Sequence, residues 1–266
     1  LNPQHSTLNS QLRLTFLGTG TSVGVPMIGC DCEVCRSPDP RDKRTRSSIY
    51  VETADAALLV DTAPDFRFQA LRENIRRVDA VIFTHSHTDH VMGFDDLRLF
   101  AHQRGHMPVY ASAETMADLR RVFRFAFEAE NPFPGYLKPE VHVIERPFSF
   151  GNTTITPLPV PHGHMTVNGY LFAVDGRKLV AYLSDCSDVP EPIVREISEV
   201  EVLIIDGLRP LPHPTHLTVE RALEIAARVQ SRSTYLTHIA HQLAQSAEDD
   251  LPPNAHIAYD GLKLEL

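Results

Sequence analysis

Thr84-His85-Ser86-His87-Thr88-Asp89-His90 sets three imidazoles and one carboxylate within seven residues, directly after the strand-like run 79 to 83. That run reads as a buried strand, so the histidines fall at its C-terminal end, where a loop turns into a helix. His85 and His87 stand two apart and Asp89 and His90 are adjacent, a spacing that can turn all four side chains into one cavity. Neutral imidazole nitrogen and carboxylate oxygen are ligands for zinc, manganese or iron. A polar turn merely rich in histidine is the bland alternative, and it does not account for the whole cluster.

Three further ligand types stand where other strands end. Pro161-His162-Gly163 follows the alternating segment 153 to 160, Ser184-Asp185-Cys186 follows 179 to 183, and Thr237-His238-Ile239 follows 234 to 236. Strand ends gather residues remote in sequence around one cleft, so His162, Asp185 and His238 extend the ligand set. His164 competes with His162, but the His-Gly arrangement and the spacing to Gly169-Tyr170 favour His162.

The rest of the chain supplies a scaffold for such a cleft. Residues 12 to 17 read as a first strand entering Gly18-Thr19-Gly20, and 47 to 52 with 57 to 60 as a hairpin turning near Thr53-Ala54-Asp55. Helical spacing covers 66 to 77, with Phe66, Ala70, Leu71 and Ile75 available to a core. Two more helical patterns follow, through Val91, Leu97 and Phe100 and then through Met116, Leu119, Val122, Phe123 and Ala126. Asn131-Pro132-Phe133-Pro134-Gly135 interrupts them as a connection or a substrate lid. Strands are expected at 141 to 144, 153 to 160, 169 to 174, 179 to 183, 201 to 205, 234 to 236 and 255 to 259, with a helix at 219 to 229. This order predicts an α+β chain folded as a four-layer αββα sandwich. Residues 1 to 11 are expected as a flexible N-terminal segment and 12 to 266 as a single domain.

Three of the four cysteines sit in Cys30-Asp31-Cys32-Glu33-Val34-Cys35, with Cys186 apart. A shared metal explains the cluster more simply than reduced surface thiols or one labile disulfide do. Cys186 reads as a buried thiol beside Asp185 rather than as a nucleophile.

These residues carry a resemblance. The stretch 84 to 90 resembles the HxHxDH signature of the metallo-β-lactamase superfamily, and His162, Asp185 and His238 match its later ligand positions in order. Leu17-Gly18-Thr19-Gly20-Thr21-Ser22, the three clustered cysteines, Asp61-Thr62-Ala63-Pro64-Asp65-Phe66-Arg67 and Leu236-Thr237-His238-Ile239-Ala240-His241 are similar to the PhnP-type phosphodiesterases, over nearly the whole chain. The resemblance implies the metallo-β-lactamase fold with two divalent catalytic ions, zinc or manganese with iron also admitted, between the outer ends of two sheets. It implies that His85, His87 and His162 hold the first ion, that Asp89, His90 and His238 hold the second, and that Asp185 bridges them. It implies as well a structural zinc on Cys30, Cys32, Cys35 and His241, which would anchor the segment presenting His238.

The related enzymes place a proton donor in the region that matches Pro212-His213-Pro214-Thr215-His216-Leu217-Thr218. Here His216, just before a helix, is preferred to His213 for that catalytic role, with Asp89 and Asp185 serving catalysis as ligands. Asp61 either fixes the tautomer of a ligand histidine or is a turn carboxylate, and Asp65 and Arg67 share that choice. Asp95, Asp96 and Arg98 read as local ion pairs. His102, His106, His142 and His256 have no comparable context, and His5 belongs to the terminal segment.

With 34 acidic residues against 25 lysines and arginines, and a formal net charge of -9, the chain has no extended basic stripe. That argues against nucleic acid as a partner. A small phosphate diester remains compatible, because bound divalent ions reverse the local potential. Of the 266 residues 42% are apolar, enough for a large core without disulfide staples. No stretch approaches the roughly 20 apolar residues of a membrane span, and Leu1-Asn2-Pro3-Gln4-His5-Ser6-Thr7 lacks the regions of a secretory signal, so no membrane is expected and the expected location is cytoplasmic. Alternating apolar residues suit a core or a homodimer face alike. The expected activity is hydrolysis of a small or cyclic phosphate diester by water activated between two ions. A thioester, lactone or other activated carbonyl is the first alternative substrate; an RNA-processing nuclease and a non-catalytic metal-binding module rank behind.

Overall fold

Along the strand Arg177–Leu183, Val180 and Tyr182 pack into one core while Ala181 and Leu183 pack into another. Val202–Asp206 repeats this, with Val202 and Ile204 facing the first core and Leu203 and Ile205 the second. Side chains alternate faces along a strand, so an apolar run without polar alternation belongs to a sheet covered on both sides. Ala57–Val60 divides in the same way: Leu58 and Val60 share the first core, and Ala57 and Leu59 enter a third. The shared core lies between two sheets and the other two lie under helices.

The computed structural model describes residues 11–101, 105–128, 133 and 135–266. Strands β1 (Arg13–Gly18), β2 (Ser48–Glu52), β3 (Ala57–Val60), β4 (Ala80–Ile82), β5 (Met107–Ala111) and β6 (Pro139–Val143) build the first sheet in that order. The second sheet takes β7 (Phe148–Phe150), β8 (Thr153–His162), β9 (Met165–Val174), β10 (Arg177–Leu183), β11 (Val202–Asp206), β12 (Ser233–Thr237) and β13 (Ala255–Ile257). Strand β14 (Lys263–Glu265) returns to the first sheet beside β1. Pairing is parallel from β3 to β6 and from β10 to β13. The expected αββα sandwich is therefore the observed architecture.

Helices α1 (Glu33–Arg36), α2 (Phe66–Arg72), α3 (Thr88–Val91), α4 (Arg98–Ala101), α5 (Ala113–Val122) and α6 (Arg124–Phe127) precede the second sheet, and α7 (Glu191–Glu196) and α8 (Val219–Val229) accompany it. None among the described residues is long and apolar enough to cross a membrane. Strand β8 carries Pro157, Pro159 and Pro161 at alternate positions, which put their missing N–H groups on one edge. Strand β7 pairs that strand only through Thr153, Thr154 and Ile155, so no ladder bond is lost.

Some expectations are corrected. The helix begun at Phe66 ends at Arg72, and Leu71 is 63% exposed. Gln69 is buried instead, because its amide donates to Thr45 Oγ1 and to the Arg46 carbonyl, both at 2.9 Å. The pattern through Val91, Leu97 and Phe100 is α3, a 3-10 turn at Phe94–Leu97 and α4 rather than one helix. Between them Gly93 lies so close to the start of α2 that a Cβ would meet the Ala63 carbonyl oxygen at 2.3 Å. Val122, part of the next helical pattern, is exposed. His5, His102 and Asn131, Pro132 and Pro134 of the expected loop lie outside the described residues, as does the N-terminal segment save Gln11.

Candidate active site

The parallel strands aim their C-terminal ends at one cleft. His85 follows β4, Asp185 follows β10, His238 follows β12, and His162 closes β8. Asp61 and His238 leave their strands with φ of 62° and 58°, in the left-handed region that costs a non-glycine residue roughly 1–3 kcal/mol. Each is held there. Asp61 N donates to the Ile82 carbonyl, and Ile239 N, just after His238, donates to the Thr19 carbonyl.

Hydrogen bonds settle which ring nitrogen His85, His90 and His162 offer. Thr84 N donates to Asp61 Oδ1 and Thr84 Oγ1 to Asp61 Oδ2, both at 2.8 Å. With its proton spent on Asp61, the Thr84 hydroxyl accepts from His85 Nδ1 at 3.0 Å, which leaves His85 Nε2 bare. His90 Nδ1 donates to Asp61 Oδ2 at 2.8 Å, and His162 Nδ1 donates to the Thr215 carbonyl at 2.8 Å. In both rings Nε2 is the free atom. Gly163 is required beside His162, since it has φ of 62° and its Cβ would meet Thr215 Cγ2 at 2.7 Å.

The donor atoms converge. Those of His85, His87 and His162 lie within 4.8 Å of one another, as do those of Asp89, His90 and His238 and those of His85, His90 and Asp185. His85 Nε2 and His87 Nδ1 stand 2.9 Å apart. Asp185 spans the two groups, with Oδ1 3.3 Å from His90 Nε2 and Oδ2 3.3 Å from His238 Nε2. His90 Nε2, Asp185 Oδ1 and His238 Nε2 are buried without a hydrogen-bond partner among the described residues. Buried polar atoms left in this state cost about 1–3 kcal/mol each, a penalty that cations in the shared space remove. Burial opposes charge on His90, but Asp185, Asp89 and Asp61 hold its pKa well above the usual value. Burial likewise opposes charge on Asp185, and His238 and His90 nevertheless hold it well below the carboxylate range. The donor set fits two divalent ions.

His216 stands beside these residues. Its Nδ1 lies 2.6 Å from Asp206 Oδ2, its ring stacks on His238 with centroids 4.6 Å apart, and its side chain is 10% exposed. Its nearest donor atom is also within 4.8 Å of those of His162 and Asp185. Burial pushes Asp206 well above the carboxylate range and His216 down to about 4. With Nδ1 engaged by Asp206, Nε2 is the ring nitrogen of His216 left for another partner. His213 is tied differently, its Nδ1 accepting from Thr215 N at 3.4 Å and contacting Thr215 Oγ1 at 3.1 Å. The cleft above these groups has a volume of about 410 Å³, and Ser22, His164, Met165, His213 and Thr215 complete its wall. Among the described residues no lysine or arginine lines it.

The cysteine cluster forms a separate centre. Cys30, Cys32 and Cys35 set their sulfurs 3.3, 3.3 and 3.7 Å from His241 Nδ1. A tetrahedral zinc with ordinary Zn–S and Zn–N bonds separates such atoms by about 3.6 Å, so the four residues fit that ion. Cys32 caps α1, its sulfur accepting from Cys35 N. From Thr237 to His241 the chain is pinned further, Ala240 N donating to the Leu208 carbonyl and Thr21 N to the Ile239 carbonyl.

The remaining sequence candidates divide clearly. Asp61 binds a histidine of the cluster, so the tautomer role is the one observed. Asp65 binds Arg46 and Arg98 pairs with Asp95, whereas Arg67 lines an apolar groove outside the cleft. His164 is at the cleft wall but exposed, and His162 is the one in the cluster. Cys186 is buried, with its thiol pushed up by burial and its amide donating to Asp206 Oδ2. His106 and His142 both pair with Glu140, and His256 lies near Glu248. Asp206 was missed by sequence reasoning. Its signal was its place at the end of an apolar strand, the same place that marks Asp185.

Residues 57–239 match the model of the β-lactamase superfamily domain. An octanoyltransferase of Porphyromonas gingivalis is 37% identical over 263 residues, 95% of this chain and 51% of that protein, so the chain spans about half its length. A solved structure described as a new diphosphatase from the PhnP family is 39% identical, with a TM-score of 0.88 over 96% of this chain and 97% of that one. Zinc-bound PqqB from Methylobacterium extorquens shares the fold, at 20% identity and a TM-score of 0.78 over 96% of this chain and 100% of that one.

Proposed function

The chain belongs to the metallo-β-lactamase superfamily and is PhnP-like within it, and on that footing we propose that it is a metal-dependent phosphodiesterase acting on a small or cyclic phosphate diester. The observation that carries this reading is His216, a histidine held by Asp206 at 2.6 Å beside the seven convergent ligand residues. His85, His87 and His162 would hold one divalent ion, zinc or manganese, and Asp89, His90 and His238 the other, with Asp185 between them. Bound there, the ions supply a water of lowered pKa and neutralise charge growing on the phosphoryl oxygens.

The protein's own groups do the rest. Asp61 and the Thr215 carbonyl keep His90 and His162 in the tautomer that offers Nε2. Asp206 orients His216 so that Nε2 is left for the leaving oxygen; as the P–O bond breaks the Nε2 proton passes to that oxygen while the proton shared with Asp206 resides on Nδ1, so the imidazole ends neutral. His213, engaged with Thr215, serves the shape of the loop. Among the described residues the wall has no lysine or arginine, which favours a singly charged diester over a diphosphate, whose second phosphate would need its own cation. Cys30, Cys32, Cys35 and His241 would hold a structural zinc that steadies the segment bearing His238. A cytoplasmic location and a role as one 12 to 266 domain go with this reading, and a homodimer is compatible with it.

One second reading has a specific observation behind it. The similarity to an octanoyltransferase favours an acyl substrate such as a thioester. The test is a panel of cyclic and linear phosphodiesters, thioesters and lactones, assayed with protein loaded with defined zinc or manganese. Turnover of the diesters at least tenfold above the carbonyl substrates supports the proposal. Preference for a thioester or lactone moves the assignment to acyl hydrolysis on the same centre.

A further inference from the structure

Ser22 lines the cleft from a segment that contributes no expected ligand of the catalytic ions. It stands with His87, Asp89, Asp185, His216 and His238 in the cleft wall. The segment is a tight turn: Gly24 N donates to the Thr21 carbonyl at 2.8 Å, which leaves Ser22 and Val23 at the tip. The base of the turn is bonded to the residue following His238, since Thr21 N donates to the Ile239 carbonyl at 3.0 Å. Among the described residues the Ser22 amide and hydroxyl and the Val23 amide have no partner within the protein.

A second set of residues fixes that tip. Arg46 Nε donates to the Ser22 carbonyl at 3.2 Å. Its Nη1 reaches both oxygens of Asp65, at 2.9 and 3.0 Å, and its backbone N reaches Asp65 Oδ2 at 3.0 Å. Asp65 occupies the N-cap of α2, where a carboxylate ordinarily accepts from the first-turn amides. It makes no such bond. Its side chain is committed to Arg46, and through Arg46 to the turn at the cleft.

Resting on the phosphodiesterase reading, we infer that the Ser22 hydroxyl binds a non-bridging oxygen of the substrate phosphoryl group, and that Arg46 and Asp65 are positioning residues for it. In a cleft whose wall has no lysine or arginine among the described residues, a neutral hydroxyl gives direction to the phosphoryl group without adding charge. The negative charge it faces makes this a charge-assisted bond. Thr215, the other hydroxyl of the wall, is engaged with His213.

Two measurements test this on the metal-loaded protein. Inorganic phosphate is titrated calorimetrically, and the expected result for Ser22→Ala is binding weakened by about 10- to 100-fold, the worth of one hydrogen bond to a charged group, at unchanged metal content. Phosphorothioate diesters are then compared with their oxygen parents. Ser22→Ala should slow the parent and one diastereomer, and leave the diastereomer whose sulfur faces Ser22 nearly unaffected, because sulfur is the poorer acceptor. Arg46→Lys should show the same stereochemical signature more weakly, which a merely structural role would not produce. Phosphate binding that is absent from the wild type or unchanged in Ser22→Ala overturns the Ser22 inference. Equal losses on both diastereomers overturn it as well, and an Arg46→Lys protein with lowered stability but intact stereoselectivity removes Arg46 and Asp65 from it. A wild type that binds phosphate but cleaves no diester defeats the phosphodiesterase reading instead, and the titration still decides Ser22.

Discussion

His216 Nδ1 and Asp206 Oδ2 lie 2.6 Å apart at the edge of the cleft, and the same Asp206 carboxyl group accepts from the amides of Cys186 and Leu208. A carboxyl group held by two backbone amides cannot swing, so the imidazole it contacts has a fixed direction. This gives a non-ligand histidine the rigidity that proton transfer to a leaving group needs.

His216→Ala is therefore expected to lower turnover of a phosphodiester with a poor alkoxide leaving group by about 10²–10⁴-fold. An activated p-nitrophenyl ester needs less protonation and should lose much less. Asp206→Asn should fall between wild type and His216→Ala on the poor substrate. Metal content, measured by elemental analysis, should stay at the wild-type level in both. Equal losses on the two substrates would argue against proton donation, and a selective loss in His213→Ala would move the role to that residue.

Asp61 acts through His90 and Thr84. Replacing it by alanine frees His90 Nδ1 and the Thr84 hydroxyl together, so both His90 and His85 lose their enforced tautomers. Removal of such an outer partner typically costs about 10–100-fold in metal affinity. Competition with a chelator should read that loss directly. Affinity within twofold of wild type would reduce Asp61 to a turn residue.

His241→Ala tests the cysteine centre without altering the thiols. One zinc equivalent should disappear, and thermal unfolding should occur at a lower temperature, by about 2–4 °C for each kcal/mol lost. Activity should fall even after the catalytic ions are reloaded, because residues 238 to 241 form one pinned segment with Ile239 and Ala240 both bonded to other loops. Unchanged zinc content and stability would remove the structural ion from the account.

What the sequence disclosed and what it hid follow from the range of the forces involved. The convergence of the seven proposed ligand residues was legible because their segments follow or end apolar runs, and strand ends converge whatever the details of packing. The strands at 179 to 183 and 201 to 205 were legible as apolar runs, while the burial of both their faces depends on the layers the folded chain packs against them. Gln69 was not, since its burial depends on acceptors at Thr45 and Arg46 that only the folded chain brings near. Strand β5 carries Pro108, which reads against a paired strand, and β7 and β14 have three residues each, too few for a period to show. Asp206 ended a run that was recognised, but its partner His216 stands ten residues on, across a proline-rich loop whose path no local rule predicts.

Anomalous diffraction from crystals grown with saturating manganese tests the central claim most directly. Two peaks about 3.5–4 Å apart are predicted in the cleft, one among His85, His87 and His162, the other among Asp89, His90 and His238, with Asp185 touching both. A fully loaded crystal with its ions elsewhere, or with most of these side chains turned away from them, would contradict the account.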